Sequence, residues 1–201
     1  MVLFMDIKIR MFLGLLYFSC FLYGIYDGYQ HIERIPEARE NITMKIVYVY
    51  SEVPMKLKVL ANKSNEHPVG DPGRVGIMLD LWLMNVMAYE CGMFMGVIIL
   101  PFAYMMYTNG RIGGLVLNPL IQTKGLVASL TYIAPHAWLE LGVLIVGAVS
   151  MLGVYYDYFR EKLVKKKGVD NMVFAKRILL LVIIGPVLLL IAAFIEMYVS
   201  K

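Results

Sequence analysis

The sequence predicts an all-α polytopic membrane helix bundle of about five spans, one of them broken, with a small extracytoplasmic β-hairpin module. Of its 201 residues, 60% are hydrophobic and 17% are charged, whereas soluble domains have about 25% charged residues. The apolar residues form runs long enough to cross about 30 Å of hydrocarbon. The polar residues are gathered mainly in two stretches, 28–75 and 157–177.

Composition also narrows the classes of partner and cofactor. The net charge of +4 is scattered, so the chain has no basic stripe suited to nucleic acid. Cys20 and Cys91 both lie in apolar runs and suggest neither a disulfide framework nor a metal site. We therefore expect no cofactor and no metal. The expected partners are the lipid bilayer and other membrane or envelope proteins, with a second copy of the chain as a further candidate.

Residues 1–27 are predicted to form an N-terminal membrane anchor helix. Lys8 and Arg10 precede an apolar run that extends from Met11 to about Tyr26. This pattern is similar to a signal peptide. However, bulky residues at 23–26 occupy the place of a small-residue cleavage site, so we expect an uncleaved anchor.

Residues 28–75 form the predicted extracytoplasmic module. Segments 43–50 and 55–60 partly alternate apolar and polar residues and flank a turn-like stretch that ends at Pro54, which predicts a β-hairpin. Both N-x-[ST] sequons, at Asn41 and Asn62, lie in this module. They favour an external location.

Residues 76–201 are predicted to form the main helix bundle. A long helix over 77–108 is expected to bend near Pro101. The next segment is apolar but interrupted, and such a segment requires protein or water to satisfy its backbone groups at membrane depth. The apolar segments after 77–108 are 111–133, 136–156 and 178–199.

Basic residues predict the orientation. Seven Lys and Arg residues lie between 160 and 177, so the loop 157–177 and the N-terminus should be cytoplasmic. Five crossings satisfy both placements and put the C-terminus outside. The alternative is a segment 111–133 that re-enters without crossing, which leaves four spans. We favour five, because four would put the basic loop outside.

Charged residues inside a membrane are costly and are functional candidates by default. The sequence predicts a polar intramembrane pocket formed by His136, Glu140, Glu196 and Glu90. If Pro135 opens a helix, His136 and Glu140 lie one turn apart on one face, at the same outer-leaflet depth as Glu196.

Two purely structural interpretations of these residues stay open. His136 and Glu140 form a structural hydrogen bond at a helix start, or Glu90 is a buried carboxyl that is neutral or paired with Lys124 or Arg111.

Small residues indicate where helices touch or turn. The Gly92-x-x-x-Gly96 spacing permits close approach of two helix backbones, and Asn109-Gly110 predicts a turn. The expected packing and turn residues are Asn85, Gly92, Gly96, Asn109, Gly110, Gly113 and Pro135.

These features together resemble the stage II sporulation protein M family, small polytopic proteins of bacteria and archaea, over residues 76–199. The resemblance rests on Asn85, the glycines at 92, 96, 110, 113 and 114, Pro135-His136 with Glu140, and the segment 192–196. The family string is typically Pro-His-Gly followed by Glu, so Ala137 departs from it. The resemblance implies a membrane component of a complex for cell-wall peptidoglycan hydrolysis.

The expected function is that of a non-enzymatic scaffold, which binds partners in a membrane complex linked to cell-envelope remodelling. The first alternative is a small transporter or channel whose acidic residues line a polar cavity. The second, an intramembrane enzyme that uses His136 and Glu140, lacks a nucleophile or metal set in the sequence.

Overall fold

A computed structural model of the chain describes residues 6–35, 72–164 and 171–198, with side chains at all of these positions except 72, 132–136 and 164. The described residues form long helices, numbered here in chain order. They are α1 (Ile7–Glu33), α2 (Pro72–Met95), α3 (Ile99–Lys124), α4 (Leu126–Phe159), which continues into a π-helical turn (Arg160–Val164), and α5 (Asn171–Tyr198).

Helices long and apolar enough to cross a membrane confirm the predicted class of a multi-pass helical membrane protein. There are four such candidate spans in the described residues, at Ile7–Glu33, Gly73–Met95, Ala137–Leu163 and Asn171–Tyr198. Helix α3 is not among them. The described part of the chain contains no strand, and the predicted hairpin at 43–60 lies outside it.

The predicted position of the first break in the bundle is wrong. We expected a helix over 77–108 and a turn at Asn109-Gly110, but the chain turns at 96–98 and Gly110 lies within α3. Pro101 falls in the first turn of α3, where no backbone N–H is required. Gly110 is a contact residue of α3 and does not turn the chain.

The predicted interruption of segment 111–133 is present, but the predicted start of a helix at Pro135 is wrong. Helix α3 continues through Pro119 to Lys124, and α4 starts at Leu126 and runs through Pro135, which therefore does not open a helix. The break falls at Gly125, whose φ of 81° lies in the left-handed region that glycine adopts without strain. Gly125 N–H donates to Ile121 O at 2.8 Å and closes the end of α3.

Helices α1 and α3 touch along their backbones. A Cβ atom placed on Gly28 would lie 2.1 Å from the Arg111 carbonyl oxygen, and one placed on Gly114 would lie 2.1 Å from the Ile25 carbonyl oxygen. The contacts of Gly24 and Gly110 are equally close. The residue numbers of the contacting positions increase in the same direction along both helices, so α1 and α3 run parallel. Glycine pairs spaced four apart are the usual means by which membrane helices approach so closely.

Polar side chains continue this contact beyond the glycines. Tyr107 Oη donates to Asp27 Oδ2 at 2.7 Å, and Arg111 Nε lies 3.4 Å from the same oxygen. Farther along, Asn118 Nδ2 donates to Glu33 Oε1 at 2.9 Å. Asn118 is fully buried, so this hydrogen bond offsets the cost of burying its amide.

The remaining helices alternate in direction. Helix α4 runs antiparallel to α1, with the Phe18 ring beside that of Trp138 and Gly14 beside Ile145. Helix α2 runs antiparallel to α5, because Arg74 contacts Met197 whereas Tyr89 contacts Leu181. Thus α1, α3 and α5 point one way, and α2 and α4 point the other.

The bundle therefore has two distinct ends. We call the end where α1 and α5 begin and α4 ends the basic end, and the end where α1 leads into segment 36–71 the loop end. An ion pair between Arg177 and Asp157, with Nη1 and Oδ2 3.5 Å apart, lies at the basic end. The other described basic residues there are Lys8, Arg10, Arg160, Lys162 and Lys176.

The glycine contact between α1 and α3 generates a stability prediction. Gly114→Ala should lower the free energy of unfolding by about 1–3 kcal/mol, because the new methyl group overlaps the backbone of α1. The matched control is Gly113→Ala, since a Cβ there meets its nearest atom only at 4.0 Å. Thermal unfolding in detergent measures both variants. Equal melting temperatures for the two would contradict the contact.

Candidate functional site

The candidate site is a polar contact between α2 and α4 beside a cavity. Asn85 Nδ2 donates a hydrogen bond to Glu140 Oε1. The two residues meet because α2 and α4 run parallel, with Gly92 against Leu144 and Gly96 against Ala148. Both side chains are half-buried.

A cavity of about 270 Å³ lies beside this hydrogen bond. Its polar lining comes from Asn85, Tyr89, Asn109 and Glu140, and its other lining residues are apolar. Asn109 belongs to α3, so three helices contribute polar groups to one space. The apolar part of the lining is Phe21, Ala88, Met106, Ala137, Leu141, Leu144 and Leu189.

Tyr89 holds the wall of the cavity in place. Its ring is buried and lies between Gly147 of α4 and Gly185 of α5. Its hydroxyl donates to the Leu181 carbonyl oxygen at 2.9 Å. Because both glycines leave room for the ring, Tyr89 fixes the spacing of α2, α4 and α5 at this level.

Glu196, in the last turns of α5, acts electrostatically on Glu140. Two carboxyl groups in an environment of low dielectric constant repel each other more strongly than they would in water when both are ionised. The Asn85 amide offsets part of this cost for Glu140, because it donates a hydrogen bond to the carboxylate. The described residues contain no group of three or more His, Cys, Asp or Glu that could hold a metal ion.

The other predicted site residues lie apart from the Asn85–Glu140 hydrogen bond, or their side chains are not described. Glu90 is half-buried in α2 but does not line the cavity, and Arg111, one of its suggested partners, pairs with Asp27. The backbone at His136 is part of α4, but the expected contact of its side chain with Glu140 lies outside the described side chains.

The packing residues have more specific roles than the sequence indicated. Asn85 was expected only to pack or turn, yet its amide contacts Glu140, and Asn109 lines the cavity within a helix. Gly92 and Gly96 contact α4, whereas Gly110 contacts α1. Gly113 has its nearest neighbour at 4.0 Å.

Sequence reasoning missed the pairing of α1 with α3. The detectable signal was Gly24-x-x-x-Gly28, which has the same spacing as Gly110-x-x-x-Gly114.

The Asn85–Glu140 contact generates a prediction that separates hydrogen bonding from charge. Glu140→Gln should preserve the melting temperature in detergent, because its amide oxygen still accepts from Asn85. Glu140→Leu should cost about 1–3 kcal/mol, because the Asn85 donor loses its partner. Glu90→Leu is the control on a carboxylate outside the cavity lining. A loss in Glu140→Gln as large as in Glu140→Leu would contradict the hydrogen-bonding role.

Comparison with known proteins places the whole arrangement in one family. The family model described as Stage II sporulation protein M matches residues 11–201. The match includes α1 from residue 11 onward, so it extends beyond the region 76–199 that carries the sequence motifs. No curated protein and no solved structure matches the chain. The chain therefore belongs to the stage II sporulation protein M family.

Proposed function

We propose that the protein is a non-enzymatic membrane scaffold that holds segment 36–71 outside the cell as a docking site for envelope proteins. The observation that carries this proposal is that the helices on both sides of the segment are fixed by hydrogen bonds to other helices. A segment attached to fixed points presents a partner surface in a restricted range of orientations. Such restriction lowers the entropic cost of binding.

Glu33 and Arg74 provide these fixed points. Glu33, in the last turn of α1, accepts hydrogen bonds from Asn118 and Gln122 of α3 at 2.9 and 3.2 Å. Arg74, in the first turn of α2, is buried and donates to the Met197 carbonyl oxygen of α5 at 2.8 Å. The two ends of segment 36–71 are thus held by different helices of the same bundle.

The distribution of basic residues supports the proposed location of segment 36–71 outside the cell. The basic end has both the start of α1 and the stretch 160–177, which runs from the end of α4 into the start of α5 and contains seven Lys and Arg residues. Loops rich in Lys and Arg stay in the cytoplasm. Segment 36–71 leaves from the opposite end of α1, and this arrangement agrees with an external location for it.

Membership of the family favours an envelope-remodelling protein as the partner. Its sporulation member is expected to act within a complex for cell-wall peptidoglycan hydrolysis, as the resemblance of the motifs implies. We extend this role to the present chain as a platform for an envelope-remodelling protein.

A transporter or channel is the second candidate, and the cavity beside Glu140 favours it. Acidic residues that face a wet space inside a bundle often line ion or proton pathways. The largely apolar lining of the cavity weighs against this function. Ion flux into proteoliposomes that disappears in Glu140→Gln would support the channel over the scaffold.

Sidedness is testable with single cysteines in a background that lacks Cys20 and Cys91. Lys58→Cys should react with a membrane-impermeant maleimide on intact cells, and Lys162→Cys should react only after the membrane is opened. Segment 36–71 and the basic end lie on opposite sides of the membrane in the proposal. Labelling of Lys162→Cys but not of Lys58→Cys on intact cells would reverse the orientation.

The scaffold role is testable by deletion of residues 43–60. The bundle should remain folded, with an unchanged melting temperature in detergent, because the deleted residues lie outside α1 to α5. Partners that co-purify with the intact protein, identified by mass spectrometry, should be lost. Glu90→Leu, which leaves the segment intact, should retain them. Retention of every partner by the deletion variant would exclude docking on this segment.

A further inference from the structure

We propose that one anionic phospholipid binds in a groove at the basic end of the bundle, with its phosphate on Arg10 and one acyl chain along α4. The groove lies between α1 and α5, and its floor is the face of α4 that carries Gly142, Val146 and Gly153. This lipid binding is independent of docking on segment 36–71, because that segment leaves the bundle from the loop end.

Helices α1 and α5 are the walls of the groove. Helix α1 packs on one side of α4, with Gly14 beside Ile145. Helix α5 packs on another side, where Leu189 shares a buried cluster with Val143 and Met151. In the described part of the chain α1 and α5 do not pack against each other. They therefore leave a strip of α4 uncovered between them.

Positions 142, 146 and 153 of α4 form the floor of the groove. At 3.6 residues per turn, these three positions fall within about 40° of one another around the helix. Val146 is 63% exposed, and a Cβ atom placed on Gly142 would meet no atom within 4 Å. From Gly153 to Gly142 the floor is about 16 Å long, which is close to half the hydrocarbon thickness of about 30 Å. One acyl chain of a single leaflet fits this length.

Arg10 closes the groove at the basic end. Its guanidinium group lies over Gly153, where a Cβ atom would come within 2.6 Å of Arg10 Nη2. The Nε atom of Arg10 is buried without a hydrogen-bond partner among the described residues. The nearest acidic residue along α4, Asp157, pairs with Arg177. A buried guanidinium group without a partner is costly, and a phosphate group would supply the missing acceptor.

The depth of Arg10 favours a lipid phosphate as this acceptor. Guanidinium groups bind phosphate oxygens through two parallel hydrogen bonds. Gly153, on which the guanidinium group lies, is four residues before Asp157, or about 6 Å. Arg10 is therefore level with the boundary between the hydrocarbon core and the charged residues of the basic end, where phospholipid headgroups begin.

The charge around Arg10 favours a lipid with a net negative charge. The stretch 160–177 contains seven Lys and Arg residues and two acidic residues, and Lys8 precedes Arg10 in α1. Arg160 lies two turns beyond Gly153 on the same face of α4. Basic clusters next to a membrane helix attract anionic headgroups. A lipid without net charge gains less from these residues.

The test is native mass spectrometry of the full-length protein in detergent, titrated with phosphatidylglycerol or with phosphatidylcholine of identical acyl chains. Each chain should bind one phosphatidylglycerol, with an affinity several times higher than for phosphatidylcholine. Arg10→Gln should weaken this binding about tenfold, because a hydrogen bond to a charged group contributes about that factor. The matched control is Arg34→Gln, which removes the same charge at the other end of α1.

Gly142→Leu tests the acyl-chain path, because a leucine side chain would fill the groove without meeting a neighbouring helix. It should weaken the binding of phosphatidylglycerol and leave the melting temperature unchanged. Gly76→Leu is the control, since a Cβ atom on Gly76 in α2 also meets no atom within 4 Å. Inorganic phosphate at millimolar concentration should not displace the lipid, because it has no acyl chain to occupy the groove.

Equal binding of the two lipids, or equal losses in Arg10→Gln and Arg34→Gln, would overturn the proposal, because general charge attraction would then explain the binding. Unchanged binding in Gly142→Leu would also overturn it, as would displacement of the lipid by inorganic phosphate. A dimer that holds no lipid and dissociates in Gly142→Leu would mean that a second copy covers the groove instead. If Arg10→Gln folds poorly, the comparison of Gly142→Leu with Gly76→Leu decides the outcome.

Discussion

The arrangement of the bundle depends on the backbone contact between α1 and α3. Glycines at 24, 28, 110 and 114 remove the side chains that would separate the two helices, and close packing drives helix association where lipid is as apolar as the protein. The contact also aligns polar groups, because Asp27 meets Tyr107 and Glu33 meets Asn118 only in this register. The orientation of α2, which precedes α3 by a short turn, follows from it.

The sequence predicted the class of fold, most of the helices and an interruption within 111–133, but it misplaced the turn between α2 and α3 and the start of α4. Apolar runs identify membrane helices reliably because every residue that crosses the hydrocarbon core must suit an apolar environment. Breaks depend on local signals whose meaning changes with tertiary contacts. Asn109-Gly110 is a common turn signal in water, yet here Gly110 packs against Phe21 O. Pro135 likewise lies inside α4, although prolines often start helices.

The acidic residues of the candidate site could be predicted from the sequence, but the residues that hydrogen-bond to them could not. A carboxylate in an apolar run is conspicuous, so Glu140 and Glu196 could be named from the sequence. An asparagine in a helix carries no such signal, because its role depends on the residue across the interface. The partner of Glu140 in the structure is Asn85, which lies 55 positions away. Only the parallel course of α2 and α4 brings the two together.

The glycine contact also sets the order in which the protein can assemble. Gly28 and Gly114 belong to helices whose contacting positions are separated by about 86 residues. At roughly 5–20 residues per second of synthesis, α1 waits in the membrane for several seconds before α3 exists. During that time its glycine face is open to lipid and to any other helix with small residues. Nascent α1 is therefore open to mispairing during this interval, and a membrane chaperone that covers its glycine face would prevent it.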